Sequence, residues 1–139
     1  MSNKHRTVME DPVPERSTYL LTADLVDETG VAIPKAALVS VKLTLYNLDD
    51  LAIVNLVNGM DVKDANRGAL TESTVDGVAT TTLKLHLTPD DNAMVSTAKK
   101  TETRIALVEW TFNAAATPDD EGVHEIEYRV VNIAKRPAA

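Results

Sequence analysis

Three acidic runs, Asp49-Asp50, Asp90-Asp91 and Asp119-Asp120-Glu121, are the first residues whose type and spacing invite chemistry. Neighbouring carboxylates can divide general acid and base work or ligate calcium. Each run falls in a predicted turn, where Asp serves by bonding its own backbone, so all three read as turn formers. Asp64-Ala65-Asn66-Arg67-Gly68 copies the first half of a calcium-loop pattern, with Asp61 as an earlier acid. The place of the bidentate Glu is held by Val75 and Asp61 is out of register, so no calcium site is expected. His5, His86 and His124 are scattered without ligand spacing. There is no G-x-S-x-G elbow and no Gly-rich phosphate loop among five glycines. The expectation is a non-enzymatic protein with no catalytic residue, no metal and no cofactor.

The whole chain narrows the classes further. Its 139 residues carry 14 Lys+Arg against 21 Asp+Glu, a formal charge of −7, which disfavours nucleic-acid binding because displacing counterions from phosphate needs Lys and Arg. No direct sequence-specific nucleic acid binding is expected. With no cysteine, disulfide scaffolds, thiolate metal sites and thiol catalysis drop out. Lys4, His5 and Arg6 are followed by no apolar stretch, so the reading includes neither a secretory signal nor a membrane partner. Aromatic residues are 4% of the chain, too few for an exposed stacking platform, and Trp110 and Phe112 read as core.

The elements that would position any site follow period two, the signal of half-buried strands. Residues 18–26, 39–46, 78–87, 103–112 and 123–133 alternate in this way. Their inward positions supply a predicted core of Leu21, Leu25, Val41, Leu43, Leu45, Leu83, Leu85, Val108, Trp110, Ile126 and Tyr128. Asp27-Glu28-Thr29-Gly30, Asn47-Leu48-Asp49-Asp50 and Asp76-Gly77 read as turns. Residues 58–72 read as a polar loop. Thr88 as N-cap and Pro89 at the first helical position predict one helical turn through Met94. The run 51–57 is apolar on both faces, Leu51, Ile53 and Val57 against Ala52, Val54 and Leu56. Such a strand is either central or covered by a partner. Single Trp, short strands and frequent turns together predict an all-β fold. That fold is a single immunoglobulin-like antiparallel β-sandwich over residues 18–133, with an extended N-terminal arm (1–17) and a C-terminal tail (134–139).

The stretch 19–133 resembles small immunoglobulin-like virion proteins of tailed bacteriophages. The residues that carry this are Leu25-Val26-Asp27-Glu28-Thr29-Gly30-Val31-Ala32-Ile33-Pro34, Leu43-Thr44-Leu45-Tyr46, Leu87-Thr88-Pro89-Asp90-Asp91-Asn92-Ala93-Met94, Ala106-Leu107-Val108-Glu109-Trp110-Thr111-Phe112 and Gly122-Val123-His124-Glu125-Ile126. The resemblance implies a structural protein of the virion, made in the host cytoplasm and placed in several copies at the neck or head-to-tail connector, in the tail or on the capsid surface. Its partners would be copies of itself and other virion proteins. The Pro-containing arm and the two-faced run nominate Val13, Pro14, Leu51, Ile53, Val54, Leu56, Val57 and Met60 as interface residues. The alternative is an adhesive or carbohydrate-binding immunoglobulin-like surface module.

Overall fold

A computed structural model describes residues 4–27, 30–95, 100–113 and 120–132. The predicted C-terminal tail, residue 133 and part of the acidic 117–122 linker lie outside them. Among the described residues nine strands follow in order: β1 (Lys4–Val8), β2 (Val13–Pro14), β3 (Tyr19–Leu25), β4 (Leu38–Asn47), β5 (Met60–Asp61), β6 (Gly68–Val75), β7 (Val78–Leu87), β8 (Thr101–Phe112) and β9 (Asp120–Val131). The larger sheet runs β1-β9-β8-β4-β5, with β2 also on β9, and the smaller runs β3-β7-β6. The two pack face to face as an all-β sandwich.

Alternation explains the core. Leu21, Ala23 and Leu25 of β3 and Leu83, Leu85 and Leu87 of β7 meet Val41, Leu43 and Leu45 of β4, Ala106, Val108 and Trp110 of β8, and Ile126, Tyr128 and Val130 of β9. Every predicted core residue is buried. Tyr19 and Tyr128 place their rings 5.9 Å apart. Gly122 faces Trp110 across the ladder, and a Cβ there would stand 2.3 Å from the indole. The ring therefore occupies the space of the missing side chain.

Four expectations change. The arm is extended as expected, but β1 and β2 lie on their own chain's β9 and run parallel to it, so the larger sheet is mixed. Residues 68–72, read as loop, belong to strand β6 (Gly68–Val75), closed onto β7 by Asp76 and Gly77 with φ of 52° and 79°. The polar sequence Thr-Glu-Ser-Thr hid this strand because its second half is solvent-exposed. At Thr88, a single turn forms: Thr88 Oγ1 accepts from Asp91 N and Asp91 Oδ2 accepts from Thr88 N, yet no helix follows. Among the described residues the assigned helical segment is a short 3-10 turn at Lys35–Ala37.

Fourth, residues 51–57 are a looped segment and not a strand. Asn47 and Leu51 close a tight turn, with Leu51 N donating to Asn47 O. Asn55 and Leu56 then form a second turn, φ 51° and 59°, closed by Val57 N to Val54 O at 3.0 Å. Single hydrogen bonds from Val54 N to Leu45 O and from Leu45 N to Val57 O satisfy the β4 edge in place of a ladder. Leu51, Asn55 and Leu56 thus adopt a left-handed backbone that suits Gly and, among other residues, mainly Asn. Leu56 is 92% exposed, so its side chain returns little burial for that strain. Replacing it with Gly should raise stability by about 0.5 to 1 kcal/mol, the relieved steric cost less the added freedom of the unfolded chain. The check is a higher urea midpoint at unchanged slope. A lower midpoint would mean that the turn is not left-handed at Leu56.

Candidate functional site

Two features stand out beyond the core: a buried polar cluster at one end of the sandwich, and the apolar loop beside it. The cluster is built on two inward positions of β8. Glu102 and Arg104 continue the stripe of Ala106, Val108 and Trp110, so alternation drives both charges inside. Arg104 has no solvent exposure. Its Nε donates to Asn47 Oδ1 at 3.2 Å, its Nη1 to the Asp91 carbonyl at 2.6 Å, and its Nη2 to Glu102 Oε1 at 2.8 Å and to the Ala93 carbonyl. Glu102 Oε1 also accepts from Val95 N.

Asp91 carries the second half. Arg67 grips its carboxylate with two hydrogen bonds, Nε to Oδ2 at 2.7 Å and Nη2 to Oδ1 at 3.0 Å, and Asn55 Nδ2 adds a third at 2.9 Å. Burial pushes the Asp91 carboxyl up, but Arg67, the Thr88 amide and Asn55 outweigh it and hold it below the ordinary carboxylate value. Asn92 Nδ2 donates to Ser17 O, and Asn92 O accepts from Arg16 N. The 88–95 turn is thereby fastened to β8, to the 51–60 loop, to the start of β6 and to the chain entering β3.

The charged groups of this cluster are paired, while Asn92 Oδ1 is buried without a partner among the described residues. The cluster's carboxylates and guanidiniums face one another, an arrangement suited to positioning loops. The acids nominated for calcium are spent locally. Asp64 accepts from Leu70 N and pairs with Lys35, which lower its pKa, and Asp61 accepts from Lys63 N while its carbonyl takes Asn66 Nδ2. Asp50 accepts the Ala52 amide in its turn, as read from the sequence, whereas Asp120 opens strand β9 and accepts the Glu121 amide there. His124 meets Thr7 Oγ1 at 2.9 Å, and His86 is exposed on β7. Among the described residues no three His, Asp or Glu are gathered as a metal-binding group, and no helix is long and apolar enough to cross a membrane. A shallow depression on the outer face of the larger sheet is bordered by Ser40, Lys42, Glu109, Thr111, Glu121 and Val123. Ser40 there is bonded to Thr111.

The nominated interface residues divide. Val13, Val54 and Val57 are buried in this chain's own core, because the arm docks on β9 and the loop tucks its two valines under the β4 edge. Met60 is half-buried against the same core, where Leu43 and Met60 pair. Pro14, Leu51, Ile53 and Leu56 remain at the surface. Leu51, Ile53 and Leu56 lie with Leu48 on the apolar loop beside Asp49 and Asp50, which the polar cluster holds through Asn55, whereas Pro14 sits apart from them in sequence on β2. Sequence reasoning missed Arg67, Glu102 and Arg104 as a unit. The one available signal was two charges at inward positions of an alternating strand. In comparisons with known proteins, no family model and no curated protein matches this chain.

Proposed function

We propose that the chain is a non-enzymatic structural protein of a tailed-bacteriophage virion, packed in several copies at the head-to-tail region or on the particle surface. The observation that carries this reading is the loop 51–60. Leu51 is 66% and Leu56 is 92% exposed, both on left-handed backbone, and a hydrogen-bonded polar cluster braces the loop in that form. A rigid loop that presents leucines to solvent is suited to meeting a neighbouring protein. The sequence resemblance supplies the identity of that neighbour, another virion protein. The adhesive or glycan-binding alternative receives less support, since Trp110 and Phe112 are buried and offer no stacking face.

The test is incorporation. The double variant Leu51→Asp, Leu56→Asp alters exposed side chains only and should keep its circular dichroism and melting temperature. Its share in purified particles should fall roughly tenfold or more against the unaltered protein, since carboxylates would be buried at the contact. Equal incorporation of both would sink the proposal, as would failure of the unaltered protein to enter any particle.

A further inference from the structure

After β2 the chain crosses from the larger sheet to the smaller at a tight turn. β1 and β2 lie on β9, β3 lies on β7, and residues 15–18 are the whole connection between β2 and β3. Ser17 N and Ser17 Oγ both reach back to Pro14 O, at 3.3 and 2.6 Å. Arg16 is the pivot of this turn, with φ of 59°, a left-handed conformation that non-glycine residues populate at a cost. Two anchors bracket it. Before it, Glu15 N donates to Val131 O, and after it, Arg16 N and Ser17 O are held by Asn92. The strain is therefore confined to one residue between two fixed points.

What lies ahead of the pivot is a detachable strand. Val13 is 2% exposed and fills a place in the core beside Val130, and Met9 packs against the same cluster. The rest of the arm is held at the surface, by Arg6 with Glu127 at 3.2 Å, Thr7 with His124, and Arg129 with Glu10 O. Pro12 and Pro14 keep the arm extended whether or not it is docked. Every one of these contacts is equally available to the arm of a second copy, because the β9 edge of each copy is identical. Straightening Arg16 releases the turn's strain and sends the arm away from its own β9. Short strained hinges of this kind favour exchange of an element between protomers.

We infer that this chain forms arm-exchanged oligomers, in which β1 and β2 of one copy dock on β9 of another by straightening at Arg16. The occupant of the β9 edge in that state is a second copy of this chain. The inference concerns the purified protein and does not rest on the virion reading.

The natural absence of cysteine allows a direct test. Val8 and Glu127 are register partners, so Val8→Cys with Glu127→Cys places a thiol on each strand. After refolding over a range of concentrations and oxidation, a closed chain gives an internal disulfide and an exchanged pair gives a covalent dimer, with Val8→Cys alone as the control for random pairing. The expected result is a dimer share above that control that rises with concentration. Adding Arg16→Gly should lower it about fivefold, since glycine relieves the closed turn and not the open one. Internal disulfides alone at every concentration would overturn the inference. So would a dimer share indifferent to Arg16→Gly, or no disulfide beyond the control.

Discussion

Arg104→Ala should destabilise the protein by about 3 to 5 kcal/mol, the usual result of removing one member of a buried ion pair. The guanidinium is fully enclosed, and its loss strips Glu102 of its cation and leaves the carbonyls of Asp91 and Ala93 without their donor. Alanine replaces none of the four directed bonds the guanidinium makes there. Denaturant unfolding gives the total, and a cycle of Arg104→Met with Glu102→Gln separates the pair from the packing. The coupling energy should lie at about 1 to 3 kcal/mol, as for residues within one polar network. A loss below about 1 kcal/mol for Arg104→Ala would show that the cluster is solvated and braces nothing.

Trp110→Ala should cost a similar amount, about 3 to 5 kcal/mol, for a different reason. The indole is almost wholly buried and its Nε1 has no partner among the described residues, so nothing polar is stranded by its removal. The loss is burial plus a cavity. That cavity resists collapse because Gly122, directly opposite, has no side chain to move into it. Gly122→Val alone should be destabilising, since its Cβ would strike the ring, but in the Trp110→Ala background the same change should recover part of the loss. Thermal unfolding of the four proteins checks this. A loss below about 1 kcal/mol for Trp110→Ala would place the ring at the surface.

The parts of the fold legible in the sequence are those where burial is one-sided. β7 and the inner stripes of β4, β8 and β9 are legible as alternation because their apolar residues face the core at every second position. Legibility fails where pairing, not burial, makes the strand. β1 reads Lys-His-Arg-Thr-Val and is held by a parallel ladder, so no apolar period marks it. β6 buries Leu70 alone and runs on into solvent. The run 51–57 fails in the opposite sense. Its apolar residues suggest a strand, but the positive φ of Leu51, Asn55 and Leu56 turns the chain twice, and only Val54 and Val57 go inside. The polar cluster was half visible. Asp91 was read as a turn former, and its bond to Thr88 N fits that role, but Arg67, which also claims it, comes from another strand end. No local rule announces a partner that only the fold brings near.

The position of β9 bears on how the chain is made. β9 joins β8 on one side and β1 and β2 on the other, so Lys4–Val8 wait for Val123 to Glu127 before they find their place. On the ribosome, the smaller sheet can close once Leu87 has emerged, since β3, β6 and β7 are complete by then. The larger sheet cannot close until Val131 clears the exit tunnel, and through that interval β1 and β2 are a loose leader with no edge to join. On a polysome, where nascent copies crowd together, the first β9 edge such a leader meets need not be its own.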